Sequence, residues 1–184
     1  TSSTTTSGAG AGGTAGGDVV AAGSQLYLAH AADGRWGFID ARGAWVIEPR
    51  FYFCYPFSEG FAAVLEERSG HYGYIDQTGA MVIPAELYDA REFSEGLAAV
   101  FVEGEEGMAY GYMDKTGELA IPARFGSAGP FSEGRAAVRV DDAWGYIDQT
   151  GAWVVEPCFG EALAFSDGLA AVWVITDYMG AISG

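Results

Sequence analysis

Four short apolar runs of one design punctuate the chain: Phe61-Ala62-Ala63-Val64, Leu97-Ala98-Ala99-Val100, Arg135-Ala136-Ala137-Val138 and Leu169-Ala170-Ala171-Val172. A polar stretch of changing length separates such runs from a second apolar step that alternates aromatic and glycine before ending on an acid. That step reads Trp36-Gly37-Phe38-Ile39-Asp40, Tyr72-Gly73-Tyr74-Ile75-Asp76, Tyr110-Gly111-Tyr112-Met113-Asp114 and Trp144-Gly145-Tyr146-Ile147-Asp148. Aromatic and β-branched content in runs this short favours strand over helix, so the two runs are predicted to be the arms of a hairpin. Ahead of Trp36, Leu26-Tyr27-Leu28 is expected to take the Ala-Ala-Val place.

Each aspartate opens a turn that a glycine closes three residues later, at Gly43, Gly79, Gly117 and Gly151. An Asx side chain can accept backbone N–H bonds inside such a turn, and glycine accepts the positive φ that ends it. A third strand is predicted beyond the turn, at Trp45-Val46-Ile47, Met81-Val82-Ile83, Leu119-Ala120-Ile121 and Trp153-Val154-Val155. Pro49, Pro84, Pro122 and Pro157 are expected to stop it, because proline has no N–H for a ladder.

A polar phrase sits between one unit and the next: Phe57-Ser58-Glu59-Gly60, Phe93-Ser94-Glu95-Gly96, Phe131-Ser132-Glu133-Gly134 and Phe165-Ser166-Asp167-Gly168. Its phenylalanines lie 36, 38 and 34 residues apart, a period typical of solenoids, propellers and open arrays. The phrase reads as the turn that launches each hairpin, with its serine and acid serving the local backbone. Ten residues separate the last aliphatic of each third strand from the next phrase, so that connection is geometrically fixed. The spacing from the Ala-Ala-Val valine to the next aromatic is 8, 10 and 6 residues, as expected for solvated hairpin tips.

The fold class expected is therefore all-β: four antiparallel three-stranded repeats of about 36 residues plus a partial fifth hairpin. The partial hairpin rests on Met179-Gly180-Ala181-Ile182-Ser183, which aligns with the aromatic-glycine step. The array is solenoid-like or propeller-like and spans residues 18–184 behind an extended N-terminal tail, residues 1–17. That tail contains only Thr, Ser, Gly and Ala, the composition of a linker or an O-glycosylated stalk, with Thr1, Ser2, Ser3, Thr4, Thr5, Thr6 and Ser7 as candidate glycan acceptors. Val19-Val20-Ala21-Ala22 is a candidate added strand.

Charge narrows the partners. With 9 basic against 25 acidic residues the formal charge is −16, which repels nucleic-acid phosphates and anionic lipid. No apolar stretch is long enough to insert in a bilayer. The chain starts at Thr1 without an initiator methionine, and an exported product with a signal removed upstream is expected.

Candidate chemistry is sparse. The acids Glu59, Glu95, Glu133 and Asp167 recur at one place in the unit, as do Asp40, Asp76, Asp114 and Asp148. Calcium loops gather several oxygen donors within a dozen residues, whereas these are spread singly, so turn chemistry is the reading and no metal is expected. Ser58, Ser94, Ser132 and Ser166 lack a tracking base, since His30 and His71 follow no repeat. No cofactor site and no enzyme activity are predicted. Trp36, Trp45, Trp144 and Trp153 would suit stacking on sugar rings, although packing is the default use of aromatics. Cys54 and Cys158 are a candidate disulfide that a closed ring of four units would permit within one chain; an open array would hold them apart, leaving only a bond between subunits.

The aromatic-glycine step, the following glycine, the Ile-Pro region and the Phe-Ser-Glu-Gly-Leu-Ala block together resemble the bacterial WG-repeat family across residues 25–183. Trp36-Gly37 and Trp144-Gly145 match the naming dipeptide; Tyr72-Gly73, Tyr110-Gly111 and Met179-Gly180 depart from it. The resemblance implies a β-repeat module, often on surface or exported proteins, with no shared catalytic set. The functional expectation is an exported structural protein of the bacterial surface that binds copies of itself into a filament or other polymer, through its N-terminal extension and terminal hairpin. The alternative is a monomeric module that binds a glycan or a protein.

Overall fold

A computed structural model describes residues 25–68 and 70–174. Every regular element among them is a strand, and every ladder is antiparallel. The first sheet comprises β1 (Tyr27–His30), β2 (Trp36–Ile39) and β3 (Trp45–Phe51). The second comprises β4 (Phe53–Cys54), β5 (Phe61–Leu65), β6 (Tyr72–Asp76) and β7 (Met81–Leu87). In the third lie β8 (Asp89–Ala90), β9 (Leu97–Gly104), β10 (Gly107–Asp114) and β11 (Leu119–Phe125). The fourth runs from β12 (Ser127–Ser132) through β13 (Arg135–Val140), β14 (Ala143–Asp148) and β15 (Trp153–Ala162) to β16 (Val172–Val174).

The repeat is thus an all-β unit, but the interior sheets hold more than three strands. The fixed ten-residue connection is itself a strand that turns a corner. It bends at Tyr52, Tyr88 and Gly126, whose N–H groups still donate across to Leu65, Phe101 and Arg139 at 2.7, 3.1 and 2.8 Å. In β15 it runs unbroken and pairs with both β14 and β16. The last strand of one unit therefore becomes the first of the next.

The prolines do not end the third strands. Pro49, Pro84, Pro122 and Pro157 lie inside β3, β7, β11 and β15. Each falls in a bulge, as where Tyr110 pairs with Phe125 and Tyr112 with Ile121, leaving three residues opposite Gly111. A residue in a bulge has no ladder bond to give, which is where a strand tolerates proline.

Both faces of an interior sheet are buried. In the second sheet Ala62, Val64 and Ile75 pack on the first, whereas Ala63 and Tyr74 pack on the third. The same alternation places Ala98, Val100 and Met113 on the second sheet and Ala99 and Tyr112 on the fourth. Burial on both faces explains why the Ala-Ala-Val arms are apolar throughout instead of alternating with polar residues. Among the described residues, core clusters join only successive sheets, so the units form an open stack.

The entry of the first unit is shifted by one residue from the sequence expectation. Leu28 pairs with Phe38 as Ala63 pairs with Tyr74, so Tyr27-Leu28-Ala29 takes the Ala-Ala-Val place and Leu26 that of Phe61. The hairpin expected at 179–183, the tail 1–17 with its candidate glycan acceptors, and the added strand at 19–22 lie outside the described residues.

Candidate functional site

The phrase is a tight turn. Ser58 and Phe61 exchange backbone bonds of 2.9 and 3.0 Å, and the two residues between them are left-handed, Glu59 at φ 52° and Gly60 at φ 91°. Phe93, Phe131 and Phe165 each set their rings 4.8–4.9 Å from the tyrosine one unit earlier, Tyr74, Tyr112 and Tyr146. At the head of the stack Phe57 sits 4.6 Å from Phe38. The phenylalanine is thus a wedge between consecutive sheets.

The serine and acid do more than serve the local turn, contrary to the sequence reading. Ser58 Oγ donates to the carbonyl of Phe93, Ser94 to that of Phe131 and Ser132 to that of Phe165, at 2.6, 2.6 and 2.8 Å. Glu59, Glu95 and Glu133 carboxylates accept the N–H of Gly96, Gly134 and Gly168 at 3.0, 2.9 and 2.9 Å. Each of the first three phrases therefore reaches forward to the next with a hydroxyl donor and a carboxylate acceptor. In two of these sets the residue after a turn aspartate adds a third partner: Lys115 Nζ lies 3.0 Å from Glu59, and Gln149 Nε2 lies 3.2 Å from Glu95. Burial opposes ionisation of Glu59, yet Lys115 and the Gly96 N–H outweigh it and hold the carboxyl below its ordinary value. We call each such set a rung.

A second series of cross-unit bonds runs through the core. The hydroxyls of Tyr74, Tyr112 and Tyr146 donate to the carbonyls of Arg91, Gly129 and Leu163 at 2.7, 2.7 and 2.8 Å. Burial pushes all three phenols up, so they stay protonated donors.

The turn aspartates are local. Asp114 Oδ1 accepts from the N–H of Thr116 at 2.8 Å, the Thr116 hydroxyl at 2.6 Å and the N–H of Glu118 at 3.2 Å. Asp76 and Asp148 repeat this with Thr78 and Thr150. Asp40 binds Arg42 and the Ala44 N–H instead. All four carboxyls are lowered; the Thr hydroxyl is the largest cause in three and the Ala44 N–H in Asp40.

The glycines Gly37, Gly73, Gly111 and Gly145 owe their place to close approach. A Cβ on Gly111 would lie 2.7 Å from the Ile121 carbonyl oxygen, and one on Gly37 2.5 Å from that of Ile47. The aromatics before them, Trp36, Tyr72, Tyr110 and Trp144, are half-buried against the core clusters. Gly96 and Gly134, by contrast, have open space and a positive φ.

Cys54 is buried in β4 and Cys158 half-buried in β15, and both are free thiols. The third sheet stands between theirs, and burial pushes the Cys54 thiol up to about 12. His30 and His71 are exposed, packed edge-on against Trp36 and Tyr88. Among the described residues no group of His, Cys, Asp or Glu is arranged to hold a metal ion.

These features define a class: an open β array whose units are joined by wedges, tyrosine hydroxyls and side-chain rungs. The chain belongs to the WG containing repeat family, which it matches over residues 36–67, 72–105, 110–142 and 144–172. No curated protein and no solved structure matches it.

Proposed function

We propose that this protein is a structural repeat module, exported or displayed at a bacterial surface, that associates end to end into a polymer. The observation that carries the reading is the outer face of the last described unit. Val64, Val100 and Val138 are fully buried by neighbouring sheets, whereas Val172, at the same place, is 38 % exposed. Leu169 is 75 % and Trp173 72 % exposed beside it. An apolar face that three neighbours bury and one leaves open suits a further unit of the same kind. The recurring polar side chains are already engaged in turns and rungs, which favours architecture over catalysis. Sedimentation velocity over a concentration series tests this. Concentration-dependent growth that Trp173→Arg suppresses supports the reading; a monomer at every concentration refutes it.

Tyr52 and Tyr88, 40 % and 57 % exposed at equivalent corners, favour a second reading as a glycan- or protein-binding module. Retention on a glycan array, lost in a Tyr52→Ala/Tyr88→Ala variant that still folds, supports that alternative.

A further inference from the structure

Resting on the end-to-end reading, we infer that the partner surface is the unfilled rung position at the head of the stack, formed by Phe57, Gly60 and Gln77, and that the phrase at 165–168 of a second copy completes it by strand exchange.

The receiving side follows from the internal rungs. Each uses a carbonyl and an N–H of the later phrase, as with Phe93 and Gly96 or Phe131 and Gly134, and Lys115 or Gln149 closes over the carboxylate in two of them. Phe57, Gly60 and Gln77 occupy the same three places at the head of the stack. The chain segment that would supply the preceding phrase is Ala22-Gly23-Ser24-Gln25, which has neither the serine nor the acid at the required positions. An open pocket of about 430 Å³ lies there, with Gln25, Tyr27, Pro56, Phe57, Gly60 and Gln77 in its wall. It holds the place of a Ser-acid phrase.

The donating side is Ser166 and Asp167. Ser58, Ser94 and Ser132 are half-buried and bonded forward, whereas Ser166 is exposed. Seated in the pocket, Ser166 Oγ–H donates to the Phe57 carbonyl and the Asp167 carboxylate accepts from Gly60 N–H and the Gln77 amide.

Strand register selects the occupant. The residues after a phrase form the arm beside the aromatic-glycine strand, so this seating lays Ala170-Ala171-Val172 along β2 of the partner in place of its β1. Interior arms set valine opposite glycine, at Val64–Gly73, Val100–Gly111 and Val138–Gly145. They set alanine opposite tyrosine, at Ala63–Tyr74, Ala99–Tyr112 and Ala137–Tyr146. Val172 would then face Gly37, Ala171 would face Phe38 and Ala170 would face Ile39. The resident β1 offers Tyr27, Leu28 and Ala29 at those places, with Tyr27 44 % exposed where Ala62 is 1 %. Exchange replaces one ill-fitting arm with one that matches the interior pattern.

The test uses the whole chain in a Cys54→Ala/Cys158→Ser background. One batch carries Ile39→Cys and the other Ala170→Cys, and each is oxidised alone and as a mixture. Directly opposed residues of an antiparallel pair have Cα atoms about 4.5–5.5 Å apart, inside the roughly 4.4–6.8 Å a disulfide spans. The expected result is a covalent dimer in the mixture and not in either batch alone. In parallel, Asp167→Asn should weaken association by about tenfold, the loss of one charge-assisted hydrogen bond at an exposed rim. Asp167→Glu, restoring the side-chain length of the internal rungs, should retain or tighten it. Association that persists with neither the cross-link nor sensitivity at Asp167 overturns the strand exchange and leaves the end-to-end reading standing. Absence of any association overturns both.

Discussion

Replacing Gly111 by alanine tests the central packing claim. A Cβ there would meet Ile121 O at 2.7 Å, Ala123 N at 2.9 Å and Ala123 Cα at 3.0 Å. Comfortable carbon contacts lie near 3.3–4.0 Å, so the bulged strand must retreat by roughly 0.5–1 Å. The atoms struck are backbone, with no side chain to swing aside, and the retreat strains the flanking pairs Tyr110–Phe125 and Tyr112–Ile121. Overpacking of this kind costs about 3 kcal/mol, the upper end for a well-packed interior. For a chain of this size that lowers the midpoint of thermal unfolding by about 6–12 °C. Gly96→Ala is the control: it has φ +85° but nothing within 4 Å, so it carries only left-handed strain of about 1–2 kcal/mol. Circular dichroism melts of the two variants decide the matter. If Gly111→Ala melts within a degree of the parent, or above Gly96→Ala, the close-approach account of the aromatic-glycine step is wrong.

Acid should unfold the stack through its turns. The carboxyls of Asp76, Asp114 and Asp148 sit below their ordinary value of 3.8 because Thr hydroxyls and backbone N–H groups bind the ionised form. The unfolded chain therefore binds more protons in that range, so this stabilisation is complete above about pH 5 and falls away as acid titrates the folded carboxyls. Urea midpoints measured from pH 7 to 3 should drop more steeply in the parent than in Asp114→Asn. Thiol labelling offers an independent check on the placement of the two cysteines: a thiol reagent should modify Cys158 in the folded protein, and Cys54 only after denaturant is added.

Much of the unit was legible because its signals are local. Asp114 and Gly117 are three residues apart and close one turn, and the left-handed pair Glu95-Gly96 announces another. The rungs were not legible, because Ser94 and Phe131 lie 37 residues apart and no local pattern links them. A signal did exist. A turn needing positive φ twice would accept asparagine or glycine at its first corner, yet all four phrases keep serine before an acid. That restriction exceeds what the turn demands. The prolines misled for a related reason: their bulges exist because Gly111 and its equivalents let the third strand come close, a contact visible only once both strands are placed. The one-residue shift at β1 arose because Tyr27 and Leu28 replace the small residues that mark the register elsewhere.

The rungs give the stack a direction. Each phrase offers a hydroxyl and a carboxylate forward, and a carbonyl and an N–H backward. Two forward ends brought together would oppose Asp167 with Asp167, and two backward ends would oppose Phe57 carbonyls with no hydroxyl between them. Self-complementary two-fold pairing through this surface is therefore disfavoured, while head-to-tail contact satisfies every group. A heterologous contact continues until rotation closes a ring or the chain supply ends. Successive units in this chain are related by the same wedge, hydroxyl and rung contacts without the first sheet meeting the fourth. A junction of the proposed kind, copying the internal geometry, would inherit that path, so the expected assembly is a filament whose repeat axis is the axis of the single chain, and a closed ring in electron micrographs would refute the proposal.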